Sequence, residues 1–179
     1  QSQDDWGENF RACLDSVFYG TKAVLPYMQT QNGGAIVNVS SVCGMVACMG
    51  TGAYSAAKSG VIAFTRNIAI EGAPYNIRAN AVSPGVVMTP ATELALPDQA
   101  AQDFTAKSVP LNRIAEPTEL AKPIVFLASD DASYITGVNV PVDGGRTAEL
   151  VVGAADFSIT RYCRISIIID SGSILTGQA

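Results

Sequence analysis

A parallel α/β sheet covered by helices is the fold class that this sequence predicts, and three observations predict it. Segments with helical spacing of apolar residues alternate with short apolar runs along the chain. Those runs, at 35–40, 77–82 and 138–142, are too short for helices and are closed by Gly, Pro or Ser turns. Strands separated by helices must pair in parallel through right-handed crossovers. With 179 residues, 48% of them hydrophobic, the chain can bury one sizeable core, which favours a single domain.

The elements follow in order. Trp6, Phe10, Leu14, Val17, Val24 and Met28 recur at helical spacing through residues 5–29, and Asn32-Gly33-Gly34 stops that helix. Ala35–Ser40 reads as a buried strand. Residues 52–71 return to helical spacing, rich in alanine at the start, with Val61, Phe64 and Ile68 for packing. Ile77–Val82 is a second strand closed by Ser83-Pro84-Gly85. Helices are expected over 91–107 and 117–129, the latter with Pro117 in its first turn. A third strand at 138–142 ends in Asp143-Gly144-Gly145.

Composition narrows the chemistry. The chain has no histidine, so Ser-His-Asp and Cys-His devices and the commonest metal ligand are absent together. Proton transfer falls to Tyr, Lys or a carboxylate. Eleven basic residues against 16 acidic ones give a net charge of -5, which argues against nucleic acid or an anionic membrane as partner. No apolar run reaches the roughly 18 residues of a membrane span. Cys13, Cys43, Cys48 and Cys163 have neither zinc nor CxxC spacing, so no metal is expected; reduced thiols and a cytoplasmic location are.

AYSAAK, residues 53–58, sets Tyr54 and Lys58 four positions apart. On a helix these lie on one face, and an ammonium beside a phenol favours the phenolate, which turns a weak acid into a usable one. Parallel sheets bind ligands beyond the carboxyl ends of their strands. Here those ends are Ser40-Ser41 and Pro84-Gly85, so Ser41, Tyr54, Lys58 and the loop after Pro84 are expected at one edge.

NVSS at 38–41, YSAAK at 54–58, NAVSPGVVMT at 80–89 and YITGVNVPVDGG at 134–145 together resemble the short-chain dehydrogenase/reductase family, over about residues 5–145. The resemblance implies a Rossmann-like, doubly wound sheet and hydride transfer between NAD or NADP and a small alcohol or ketone. It implies Tyr54 as acid/base, Ser41 as holder of the substrate oxygen, and Lys58 as ribose ligand and partner of Tyr54. It places Pro84, Gly85, Val87 and Thr89 at the cofactor, Val87 and Thr89 against the carboxamide. A homo-oligomer, dimer or tetramer, is implied as well, with the helices at 5–29 and 52–72 at its interfaces.

Two departures from the family pattern carry consequences. Cys13, in CLDSVFYGTK, stands where the family usually has an asparagine that completes a proton relay to the lysine. A thiol is a poor substitute for an amide. The glycine-rich TGxxxGxG turn and the NNAG strand end, which the family carries before the position of Trp6, do not occur in these residues. The domain is therefore expected to be partial over residues 1–148, its first strands missing, and Gln1 to follow further chain. Gly44, Gly50 and Gly52 have the wrong spacing for a phosphate cradle. Residues 149–179, including the strand-like ISIIID, receive no function. Two readings compete with the enzyme: a non-catalytic relic serving as an oligomerisation or binding module, and a hydrolase using Ser41 with Lys58.

Overall fold

The computed structural model describes residues 2–149; the expectations for the tail beyond them, and Cys163, lie outside the described residues. Helix α1 (Gln3–Phe10) starts at a capping box, in which the Ser2 hydroxyl accepts from the Asp5 amide and the Asp5 carboxylate from the Ser2 amide. A π-helical turn, Arg11–Asp15, joins it to α2 (Ser16–Thr30), so the helix expected over 5–29 carries one wide turn that the spacing does not show. Asn32, at a φ of 54°, and Gly33 then release the chain into β1 (Gly34–Val39).

Helix α3 (Gly52–Gly72) and β2 (Ile77–Pro84) come next, followed by α4 (Pro90–Ala95), α5 (Gln99–Lys107), α6 (Pro117–Ala128) and β3 (Asn139–Val142). The single helix expected over 91–107 is corrected to two. Leu96 precedes Pro97 and is pushed out of the helical region, to φ -122° and ψ 73°. Asp98 then caps α5 by accepting from the Ala101 amide.

The three strands pair in parallel in the order β1-β2-β3, with Val39 opposite Val82 and Pro84 opposite Val142. β2, in the middle, is buried along almost its whole length, as a strand covered on both faces should be. Its alternate residues enter different clusters. Ala79 packs with Ile68 and Ala69 of α3, joined by Leu25 of α2. Val82 packs on the other face with Leu120 and Leu127 of α6. Helices thus cover both faces, and the sheet is the doubly wound one expected, in part.

Polar groups lock this arrangement. The Arg78 guanidinium donates to the carbonyls of Leu127 and Ser129, at 2.8 Å each, and so closes the C-terminus of α6. The Asn80 amide bridges to Ile135 and Val138 and holds the approach to β3. At the other end of α6 the exposed Arg113 and the half-buried Glu119 form a two-pronged pair at 2.6 Å. That hydrogen bond, with the Glu116 amide, holds the Glu119 carboxyl down at about 2.

Leu127 is 2% exposed between sheet and helix. Leu127→Ala in the intact protein is expected to cost about 2–5 kcal/mol by leaving a cavity there. Chemical denaturation reads this as a lower midpoint at unchanged slope; an unchanged midpoint would mean that α6 is not held through this contact.

Candidate active site

The sheet delivers its site residues at the carboxyl ends of β1 and β2, where the chain must leave the layer. The Ser40 amide still donates to the Val82 carbonyl, at 2.8 Å, so the ladder runs one residue past β1. Ser41 is extended and caps a short 3-10 turn, Val42–Gly44, by accepting the Cys43 amide on its Oγ at 3.1 Å. The Ser41 hydroxyl proton takes no part in that bond. Gly44 presses on α3: a Cβ there would lie 2.8 Å from the Lys58 carbonyl carbon and 3.0 Å from Ser40 Oγ. That contact, together with the Ser40 hydroxyl donating to the Lys58 carbonyl at 2.8 Å, fixes the turn against the helix.

Tyr54 stands in the first turn of α3, half-buried, and Lys58 one turn on. The Lys58 ammonium lies 5.7 Å from the centre of the Tyr54 ring and donates to the Val39 carbonyl at 2.9 Å. The i, i+4 spacing therefore does what helix geometry requires, with one addition. The cation is also tied to the end of β1, which keeps it near the phenol ring.

Ser41 and Tyr54 line one cleft of about 560 Å³, within the range of small-molecule sites. Val42, Val46, Ala47 and Met49 form one wall of it, and Gly85 and Val86 border it too. Two hydroxyls on one cleft are suited to polarising a carbonyl oxygen. Lys58 is not among the lining residues and does not hydrogen-bond Ser41, so the Ser41–Lys58 pairing that a hydrolase would need is not formed.

The residues after β2 occupy the same edge. Pro84 ends the strand, and Gly85 donates to the Val142 carbonyl at 3.0 Å. A Cβ on Gly85 would meet the Asp143 Cα at 2.8 Å, which explains the glycine. Val87 bridges in parallel to Ala115. The Thr89 Oγ1 accepts from the Thr92 amide at 3.2 Å and caps α4. Val87 and Thr89 thus follow Gly85 in the loop that leaves β2. The described residues provide no glycine-rich amide cradle for a pyrophosphate.

The cysteines need a correction. Cys43 and Cys48 form a disulfide rather than two reduced thiols, because the 3-10 turn after Ser41 reverses the chain and brings their Cα atoms to 5.4 Å. The bridge closes the loop that forms one wall of the cleft. Cys13 is a free thiol in the π-helical turn. That turn packs on α3, where Leu14 fills the space a Cβ on Gly60 would need, 2.9 Å away. No helix among the described residues is long and apolar enough to cross a membrane, and no group of metal-ligating side chains forms among them.

Sequence reasoning missed Arg146 and Thr147, which follow the Asp143-Gly144-Gly145 turn and line the cleft. It also read Gly44 only as a rejected phosphate contact. Its position between a strand end and a helix was the available signal for close backbone approach.

Comparison with known proteins bears on the family and the fold. A family model described as enoyl-(acyl carrier protein) reductase matches residues 1–147. The 3-oxoacyl-[acyl-carrier-protein] reductase of Thermotoga maritima is 46% identical over 143 residues, covering 80% of this chain and 57% of that protein. A cyclopentanol dehydrogenase of Comamonas sp. is 43% identical over 148 residues, covering 82% and 59%. Among solved structures, a gluconate 5-dehydrogenase from Burkholderia cenocepacia, in complex with NADP and tartrate, superposes with a TM-score of 0.79 at 33% identity, covering 84% of this chain and 59% of that one. The chain belongs to the short-chain dehydrogenase/reductase family, and its sheet is part of a Rossmann fold. It spans somewhat more than half the length of these relatives, which are oxidoreductases.

Proposed function

We propose that the cleft interconverts a small alcohol and its ketone with NAD or NADP, Tyr54 acting as general acid/base. The observation that carries this reading is the placing of Ser41 and Tyr54 on one cleft, with the Lys58 ammonium behind the Tyr54 ring and anchored to Val39. A reduced nicotinamide, when bound, supplies the hydride that the carbonyl carbon takes up. Ser41 and Tyr54 donate hydrogen bonds to the carbonyl oxygen, and the negative charge that grows there is completed to an alcohol by the Tyr54 proton. In the oxidative direction Tyr54 removes that proton. Lys58, Pro84, Gly85, Val87 and Thr89 would hold the ribose and nicotinamide end, the part of the cofactor nearest the reacting carbon.

The test is oxidation of reduced nicotinamide by ketones in the intact protein, with any segment that precedes Gln1, followed by absorbance and by the alcohol formed. The 179 residues by themselves should bind dinucleotide weakly or undetectably. They contain no glycine-rich turn to offer amides and a helix dipole to the pyrophosphate. Micromolar binding by calorimetry on these residues alone would overturn that expectation.

Cys13 tests the proton path. A thiol is a weak donor and lacks the paired groups of an amide. If the π-helical turn carries a relay to Lys58, Cys13→Asn should raise turnover about fivefold, the worth of one restored hydrogen bond of ~1 kcal/mol. Unchanged or lower turnover would assign Cys13 to packing.

A binding or oligomerisation module is the second reading. Phe18, Tyr19 and Tyr27 of α2 are 44%, 64% and 76% exposed, an apolar surface suited to a partner. That surface equally fits the dimer or tetramer proposed for the enzyme. A cytoplasmic location goes with nicotinamide chemistry and remains part of the proposal; the Cys43–Cys48 bridge weighs against it.

A further inference from the structure

Among the described residues that line the cleft with Ser41 and Tyr54, Arg146 is the only one with a charged side chain. Among the described residues its guanidinium has no carboxylate partner, and the ion pair that they form is Arg113–Glu119. The nearest acid in sequence, Asp143, is engaged elsewhere. It accepts from the Gly145 amide at 2.9 Å, the Thr147 amide at 2.8 Å and the Thr147 hydroxyl at 2.6 Å. Burial pushes the Asp143 carboxyl up, and those hydrogen bonds outweigh it and hold it below the usual range. The ionised carboxylate therefore stiffens the turn that carries Arg146 and Thr147 to the cleft.

The Val42–Met49 part of the lining is neutral. Val42, Val46, Ala47 and Met49 offer no charge to compete for the guanidinium, and no acid among the described residues lines the cleft. A guanidinium is always charged and binds a carboxylate through two parallel N–H bonds. Of the residues proposed for the cofactor, only Tyr54 and Gly85 border this cleft, whereas Lys58, Val87 and Thr89 do not. Arg146 therefore shares the cleft with Ser41 and Tyr54 and lies apart from most of the residues proposed for the cofactor.

We infer that the cleft selects carbonyl substrates that bear a carboxylate, with Arg146 as the residue that determines this specificity. The acid group would meet the guanidinium and an aliphatic middle would lie along the Val42–Met49 wall, with the carbonyl oxygen at Ser41 and Tyr54. This rests on the oxidoreductase reading above and specifies its substrate class.

Levulinate and methyl levulinate, an oxo acid and its neutral ester, separate the two ideas. In the intact protein with reduced cofactor, kcat/KM for the acid should exceed that for the ester by about tenfold to a hundredfold, the usual range for a charge-assisted pair. The advantage should lie mainly in KM. Arg146→Gln should collapse this preference, and Arg146→Lys should restore part of it. Equal use of acid and ester, or a preference that Arg146→Gln leaves in place, overturns the assignment while the oxidoreductase reading stands. Turnover of cyclopentanone but of neither levulinate compound has the same meaning. A changed preference between NADH and NADPH in Arg146→Gln, with the acid preference kept, would place the guanidinium on the cofactor and overturn it too. Failure to reduce any carbonyl compound removes the underlying reading, and this one with it.

Discussion

Tyr54→Phe in the intact protein is expected to lower turnover by about a hundredfold to ten-thousandfold, the usual worth of a positioned general acid. Only a hydroxyl oxygen is removed. The ring can keep its place at the start of α3 and its contact with the Lys58 ammonium, 5.7 Å from its centre. Stability should therefore stay within about 0.5 kcal/mol, the range of substitutions away from core and networks. Lys58→Ala should act differently: it removes the bond to Val39 as well as the cation, so cofactor affinity should fall along with turnover. The check is steady-state kinetics beside a thermal melt. Near-normal turnover in Tyr54→Phe would end the acid/base assignment, and a collapsed melt would mean that the phenol is structural.

Gly44→Ala should be nearly as damaging by another route. The added methyl would sit 2.8 Å and 2.9 Å from the Lys58 carbonyl carbon and oxygen, which belong to helix backbone and cannot swing aside. It would also meet Ser40 Oγ at 3.0 Å, where that hydroxyl donates to the same carbonyl. The 3-10 turn must move, and overpacking of this kind costs about 1–3 kcal/mol. Because the turn is capped by Ser41, the displacement reaches the proposed substrate oxygen site, and misplacement by ~1 Å can lower turnover about a hundredfold. Melting and kinetics together read both effects. A variant of normal stability and activity would show that the turn does not lean on α3 as described.

The legible part of this fold was the part written in periodicity. β1, β2 and β3 lie where short apolar runs end in Gly, Pro or Ser, and α3 begins and ends within a residue of its alanine-rich pattern. The break at Leu96-Pro97 was present in the sequence as a proline, yet apolar spacing on either side concealed it. The π-helical turn left no trace, because Arg11–Asp15 has no residue that would mark one extra position. In the site, Ser41, Tyr54 and Lys58 could be placed from strand ends and an i, i+4 spacing. The Cys43–Cys48 bridge could not, since it depends on how the 3-10 turn redirects the chain. Arg146 escaped because it follows β3, and only the fold returns that turn to the cleft.

The central claim is that Ser41 and Tyr54 frame a site for nicotinamide-dependent carbonyl reduction. The intact protein, supplied with NADH or NADPH and a panel of ketones that includes cyclopentanone and levulinate, tests it most directly. The account predicts that reduced-nicotinamide absorbance is lost in step with alcohol formed, one for one, and that Tyr54→Phe abolishes both. A folded, dinucleotide-binding protein that oxidises no reduced cofactor with any ketone, and reduces none with the matching alcohols, would contradict it.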